Sequence, residues 1–279
     1  MPVSVVDTGI SCFSAQRPPT ARKLAAGPPA AMLGGMTDIS NAQLMDRLKI
    51  AADNVGAKLG SLTDADVLEP TDLPGWTRGH VLAHIAHVSN AVARQAEYAL
   101  RGELIEFYDG GQGGRTQAIE MNAGHSAAEH REYISAAFTR ALTVLDGLED
   151  AQWELPISYR NGTVRDGALA YWRELVIHLA DLQLGRGPET WSKEFCLYLF
   201  EFLADRVPAN VKLKLLPLAL PPMTIGSGQN SVSVQGMLTD IAAWLSGRTP
   251  TMGSLRAEAA ADSVELPKLL PWPSAFAAK

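Results

Sequence analysis

The sequence predicts an α+β protein: four long amphipathic helices that close into a bundle, followed by a smaller domain of mixed helix and strand. Two observations predict it. Between residues 38 and 188 apolar side chains recur at three- and four-residue intervals, the period of a helix with one buried face. After Pro188 the period falls to two, with Val211, Leu213 and Leu215 alternating with Lys212 and Lys214, and short glycine-punctuated runs follow.

The elements follow in order. From Asp38 to about Leu62 the stripe Leu44, Leu48, Ala51, Ala52, Val55, Leu59, Leu62 predicts the first helix. Asp72-Leu-Pro-Gly75 breaks it, and Thr77 is a suitable N-cap for a second helix through HVLAHIAHVSNAVARQAEYAL. YDGGQGG reads as a flexible loop, which could fold over a site as a lid; no Lys-Ser/Thr follows it, so it is not a phosphate loop. A third helix is expected from Ile119-Glu120 to Leu148 on the stripe Ile134, Phe138, Ala141, Leu142, Leu145, Leu148. The fourth begins near Thr163 and ends by Gly185 and Pro188. Beyond the boundary, placed near residue 190, WSKEFCLYLFEFLADRV is a fifth helix. VKLKLLPLAL, MTIGSG and SVSVQG are strands, MLTDIAAWLSGR is a helix with Gly247 as its C-terminal stop, and SVEL is a last strand.

A chain of 279 residues can bury one or two cores. At 47% apolar and 19% charged it has an ordinary globular composition, and a net charge of −6 gives nucleic-acid binding no electrostatic support. Charge or proline interrupts every apolar run well short of the roughly 18 residues of a membrane span. Two cysteines, Cys12 and Cys196, make no disulfide framework, so a cytoplasmic setting and, in the absence of a heptad signal, a monomer are expected. Residues 1–36 are rich in Pro, Gly, Ala and Ser without apolar period; they read as a disordered arm, or as an extension upstream of a true start at Met36. This divides the chain into residues 1–36, a bundle over 37–190 and a small α+β domain over 191–279.

Glu174 and His178 are four residues apart, about 6 Å and little more than one helical turn, so they project from one face. With one histidine from another helix, His84, they make two imidazoles and a carboxylate, three ligands that leave coordination positions open as a catalytic zinc requires. Iron or nickel would also accept this set. His80 and His87 share part of His84's face and could replace it, although His80 lies where it would cap the helix. Alone, His84 would be a packed histidine and Glu174–His178 an ordinary polar pair; their joint occurrence carries the metal reading. Asp181, one turn after His178, would orient a ligand imidazole or make a helix-end contact, with direct ligation the lesser reading. Trp76 reads as a plug at the helix entrance, and Cys196 as core.

LPGWTRGHVLAHIAHVSNA, the YDGG–Arg115–Ile119-Glu120 segment, the Glu174–His178–Asp181-Leu182 stretch and VSVQGMLTDIAAWLSGR resemble, in order, the mycothiol-dependent maleylpyruvate isomerase family over about residues 38–250. The resemblance implies a DinB-like metal-binding four-helix bundle and a sterol-carrier-like C-terminal domain. It implies His84, Glu174 and His178 as zinc ligands (or ligands of another divalent metal), Arg248 as the catalytic arginine, and mycothiol as cofactor. The implied reaction converts maleylpyruvate to fumarylpyruvate: a zinc-activated thiolate adds to the cis double bond, the resulting single bond rotates, and the thiol is eliminated. Arg248 would grip a substrate carboxylate and stabilise enolate charge, rather than merely answer a helix C-terminus. The partners are thus a small-molecule substrate and a low-molecular-weight thiol, with no nucleic acid and no membrane. The chain departs from the family pattern at Leu179, Tyr171 and His87-Val88, positions that bear on substrate fit. Transfer of the thiol onto an electrophilic metabolite or xenobiotic, and a non-catalytic metal-binding module, are the other readings of the same residues.

Overall fold

The computed structural model describes residues 39–259, 262–263 and 265–273. The arm over residues 1–36, Cys12 and the proposed start at Met36 lie outside the described residues. Two compact units divide the rest, with described residues 39–191 in one and 192–273 in the other.

In the first unit, α1 (Asn41–Leu59), α3 (Arg78–Ala99), α5 (Ala127–Asp146) and α6 (Val164–Asp181) are the long helices, with α2 (Asp64–Leu68) and α4 (Gly111–Asn122) between them. α1 packs on α5 and α6, and α3 packs on the same two, so the four long helices close a ring. The predicted stripes are what they bury: Leu44, Leu48, Ala52, Val55 and Leu59 of α1, and Ile134, Phe138, Ala141 and Leu145 of α5. Ser40, Ser126 and Thr163 each accept a hydrogen bond from a backbone N–H in the first turn, which sets where α1, α5 and α6 begin.

The expected third helix is two. Ser126 forms a capping box with Glu129, whose carboxylate accepts from the Ser126 backbone N–H at 2.8 Å, and this restarts the chain as α5 after the turn at residues 123–126. Nor is the glycine stretch a loop throughout. α4 starts at Gly111 and runs through Gly113 and Gly114. At Gly114 a Cβ would lie 2.1 Å from the Asp109 carbonyl oxygen, so glycine there allows a close backbone approach that any side chain would block. The five-residue α2 had no apolar period to announce it.

The second unit contains α7 (Lys193–Phe202), β1 (Val211–Pro217), β2 (Met223–Ile225), β3 (Asn230–Gly236), α8 (Leu238–Leu245), β4 (Arg256–Ala259) and β5 (Asp262–Ser263). The sheet order is β2-β1-β3-β4-β5, with β1 parallel to β3 and the other pairs antiparallel. Leu213, Leu215, Ile225 and Val234 are buried under α8, which packs on α7, β1 and β3. The alternation of leucine and lysine in β1 thus separates a core face from a polar one. Of SVEL, Ser263 is in a strand and Val264 lies outside the described residues; β4 is a short, polar strand whose hydrogen bonds to β3, not its own pattern, define it.

Gly79, in the first turn of α3, supports the entry to this helix. A Cβ there would meet the Ala123 carbonyl oxygen at 2.0 Å and Val67 Cγ1 at 2.9 Å. Because a backbone carbonyl cannot swing away, Gly79→Ala should destabilise the protein by about 2–3 kcal/mol in a denaturant titration.

Candidate metal centre

Two matching hairpins lead into the helices that matter. Pro70 pairs with Thr77 and Pro156 with Thr163 as isolated antiparallel bridges, and each threonine then caps a helix, α3 and α6 respectively. His84 lies seven residues beyond the first cap; Glu174 and His178 lie eleven and fifteen beyond the second. These offsets are about two, three and four turns, so each of the three side chains sits above its own N-cap, on the face the cap fixes.

The two helices bring His84, Glu174 and His178 together, with one ligand atom of each within 4.8 Å of the others. Glu174 Oε2 lies 2.9 Å from His84 Nε2 and 3.1 Å from His178 Nε2. The imidazoles meet edge to face, centroids 4.5 Å apart. Both histidines are buried, whereas the Glu174 side chain keeps 18% exposure, an opening through which a ligand can arrive.

Charged and polar groups surround the three. Asp181 Oδ2 accepts from His178 Nδ1 at 2.8 Å, which leaves Nε2 facing the centre, as expected of Asp181. Arg173 Nη2 donates to Glu174 Oε1 at 3.3 Å and to the Tyr159 hydroxyl at 3.1 Å. Arg115 Nη2 donates to His84 Nδ1 at 3.2 Å, and its guanidinium lies 5.5 Å from the Tyr108 ring centre. Trp76 stacks on His80 and sits 5.9 Å from His84. Spacing rules gave Arg115, Arg173, Tyr108 and Tyr159 no role; the available signal was only that two arginines occur within otherwise apolar faces.

Burial drives His84 down to about 3, with the charges of His178 and Arg115 adding to the effect, so this ring is neutral. Burial opposes charge on His178 too, but its hydrogen bonds to Asp181 and Glu174 outweigh that and raise its pKa. Burial likewise opposes ionisation of Glu174; hydrogen bonds from both imidazoles and the nearby Arg173 charge nevertheless hold it well below the usual carboxylate range. The result is an ionised carboxylate facing a neutral imidazole and one that readily takes a proton. A divalent cation replacing that proton meets two nitrogen donors and a carboxylate oxygen, and the donor set fits it.

The neighbouring histidines are otherwise engaged. His80 Nδ1 accepts from the Thr77 backbone N–H at 3.1 Å and caps α3. His87 Nε2 accepts from Asn122 at 3.2 Å, and Tyr133 Oη lies 3.4 Å from His87 Nδ1. Tyr171 is fully buried and Leu179 nearly so, both inside the helical packing. Cys196 is core, its thiol pushed up to about 12 by burial. Arg248 lies in the other unit, just beyond α8.

Asp181→Asn keeps the shape but weakens the hold on His178 Nδ1–H, so zinc affinity in a chelator-competition titration should fall about 10–100-fold. Arg115 acts in the opposite sense. While it donates to Nδ1, the proton of neutral His84 is on Nε2, the atom a metal needs. It also places a positive charge beside a cation site. Arg115→Met should therefore bind zinc several-fold more tightly in the same titration.

Residues 48–183 match the mycothiol maleylpyruvate isomerase N-terminal domain. Among solved structures, the chain is similar to a mycothiol-dependent maleylpyruvate isomerase at 18% identity and a TM-score of 0.73, covering 84% of this chain and 98% of that one. A histidine-to-alanine mutant of a mycothiol-dependent maleylpyruvate isomerase matches at 18% identity and 0.72, with the same coverage. No curated protein sequence matches the chain. Through residues 48–183, the segment that carries all three converging side chains, the chain belongs to the mycothiol maleylpyruvate isomerase N-terminal domain family.

Proposed function

We propose that the protein is a zinc- and mycothiol-dependent isomerase that converts maleylpyruvate to fumarylpyruvate. The observation that carries the proposal is the convergence of His84 Nε2, His178 Nε2 and Glu174 Oε2 in one buried cluster with an opening at Glu174. The family of residues 48–183 and the activity named for the similar solved structures support it. In this reading the ring of helices is a DinB-like four-helix bundle over residues 37–190, and residues 191–279 are a sterol-carrier-like domain. The setting is the reducing cytoplasm, where a free thiol cofactor survives.

His84, Glu174 and His178 would hold the metal, and Asp181 would keep His178 in the tautomer that presents Nε2. When bound, zinc lowers the pKa of the thiol, and the thiolate supplies the nucleophile that relieves the double-bond character opposing rotation. The residues of the chain do the rest. The hydrogen bonds from His178 and His84 keep Glu174 ionised, and Arg173 adds to this while orienting it. Tyr108 holds its proton, burial having pushed it up to about 12, and so offers a hydroxyl rather than a negative charge to an anionic substrate. Arg248 would grip a substrate carboxylate in the two-pronged geometry a guanidinium favours and stabilise enolate charge.

Purified protein supplied with zinc and mycothiol should convert maleylpyruvate to fumarylpyruvate with the thiol regenerated at each turnover. Stripping the metal or replacing His84 by alanine should abolish the conversion. No conversion with metal and thiol both present overturns the proposal, and a stable thiol adduct in the mass spectrum would identify a thiol transferase instead.

A further inference from the structure

The ring of helices is built twice. Ser40 and α1, from Asn41, recur eighty-six residues on as Ser126 and α5, from Ala127, and α3, from Arg78, recurs as α6, from Val164. The pieces between recur at the same offset: α2 (Asp64–Leu68) as a 3-10 helix (Asp150–Glu154), and the Pro70–Thr77 bridge as Pro156–Thr163. The caps match as well, Gln43 with Glu129 and His80 with Asp166, each accepting from the backbone N–H of its N-cap residue. Ile39 and Leu44 of the first copy therefore correspond to His125 and His130 of the second.

Leu44 is fully buried, and His130 is buried as completely. A leucine needs nothing more in such a place, whereas an imidazole needs partners. Among the described residues, neither Nδ1 nor Nε2 of His130 has a hydrogen-bond partner, and neither does the buried Nδ1 of His125. The two ring centres are 5.7 Å apart. Imidazoles that share one ion through metal–nitrogen bonds of about 2 Å stand with their centres about 5–6 Å apart. Burial lowers the pKa of His130; the Ala123 carbonyl opposes this without reaching hydrogen-bond geometry, and the His125 charge adds to it. The ring is therefore neutral and keeps a nitrogen lone pair. The carboxylates nearby are engaged elsewhere. Glu129 Oε2 accepts from the Ser126 N–H at 2.8 Å and hydroxyl at 2.7 Å, and Asp64 Oδ1 accepts from the Ala127 N–H at 2.8 Å.

We propose that His125 and His130 form a second metal site, separate from His84, Glu174 and His178, that takes copper(I). The donor set selects the ion. Two neutral, buried nitrogens give a divalent cation neither the charge compensation nor the number of ligands it needs. A soft monovalent ion is satisfied by two neutral donors, and the Glu129 carboxylate, whose charge acts on His130, offsets part of its single charge. The repeat supplies the contrast: the first copy has the same helix start and cap, with apolar residues at both positions and no nitrogen donor.

Full-length protein already loaded with zinc would be titrated with copper(I) without oxygen, in competition with a chromophoric chelator. One copper(I) per chain should be taken up with the zinc content unchanged. Replacing the pair by its first-copy counterparts, His125→Ile with His130→Leu, should abolish the uptake while zinc content stays the same and the melting temperature does not fall. His125→Ile alone, at a half-buried position, repeats the test without touching the core. Cys196→Ser should keep the site, and X-ray absorption at the copper edge should show nitrogen neighbours and no sulfur. No copper(I) uptake by the zinc-loaded wild type, equal uptake by the histidine variants, or loss of uptake in Cys196→Ser overturns the inference.

Discussion

One carboxylate oxygen, Glu174 Oε2, is shared by two imidazoles from two helices, and the arrangement of the first unit follows from it. Desolvating an ionised carboxylate costs several kcal/mol even after relaxation, and an uncompensated one would not persist. Glu174 is compensated on every side: Arg173 on one oxygen, His84 and His178 on the other. Nothing in such a cluster is gained for stability over well-packed leucines. The cluster is therefore borne by the apolar ring of α1, α3, α5 and α6.

Holding that oxygen between two rings demands that α3 and α6 each have the correct rotation about their axes. The two Pro-to-Thr hairpins meet this demand locally. Each bridge fixes where a helix begins, and whole-turn spacing from the cap then places His84, Glu174 and His178 on a known face. Gly79 lets α3 approach the Ala123 backbone, so the helix is fixed in position as well as in phase. A similar economy operates in the second unit, where the reversal at Gly247 sets the backbone of Arg248 with hydrogen bonds to the last turn of α8.

The cluster also contains a tension. Arg115 favours the tautomer of His84 that carries its proton on Nε2, and its charge opposes a cation beside that ring. His178 complements this: the proton it takes readily stands where the metal's charge would go.

What the sequence determined by itself was whatever depends on neighbours within about two turns. The stripes of α1 and α5, the threonine caps of α3 and α6, the shared face of Glu174 and His178, the leucine–lysine alternation of β1 and the stop at Gly247 all arise from local periodicity and backbone preference. Only the tertiary structure decided the rest. α4 is helical because Gly114 admits Asp109, and β4 is a strand because β3 pairs with it. Arg115 reaches the His84 imidazole thirty-one positions upstream, and Trp272 reaches Arg248 through a strap tied by Arg206. These contacts join residues far apart in the chain, and their free energy depends on burial and geometry that no local pattern encodes.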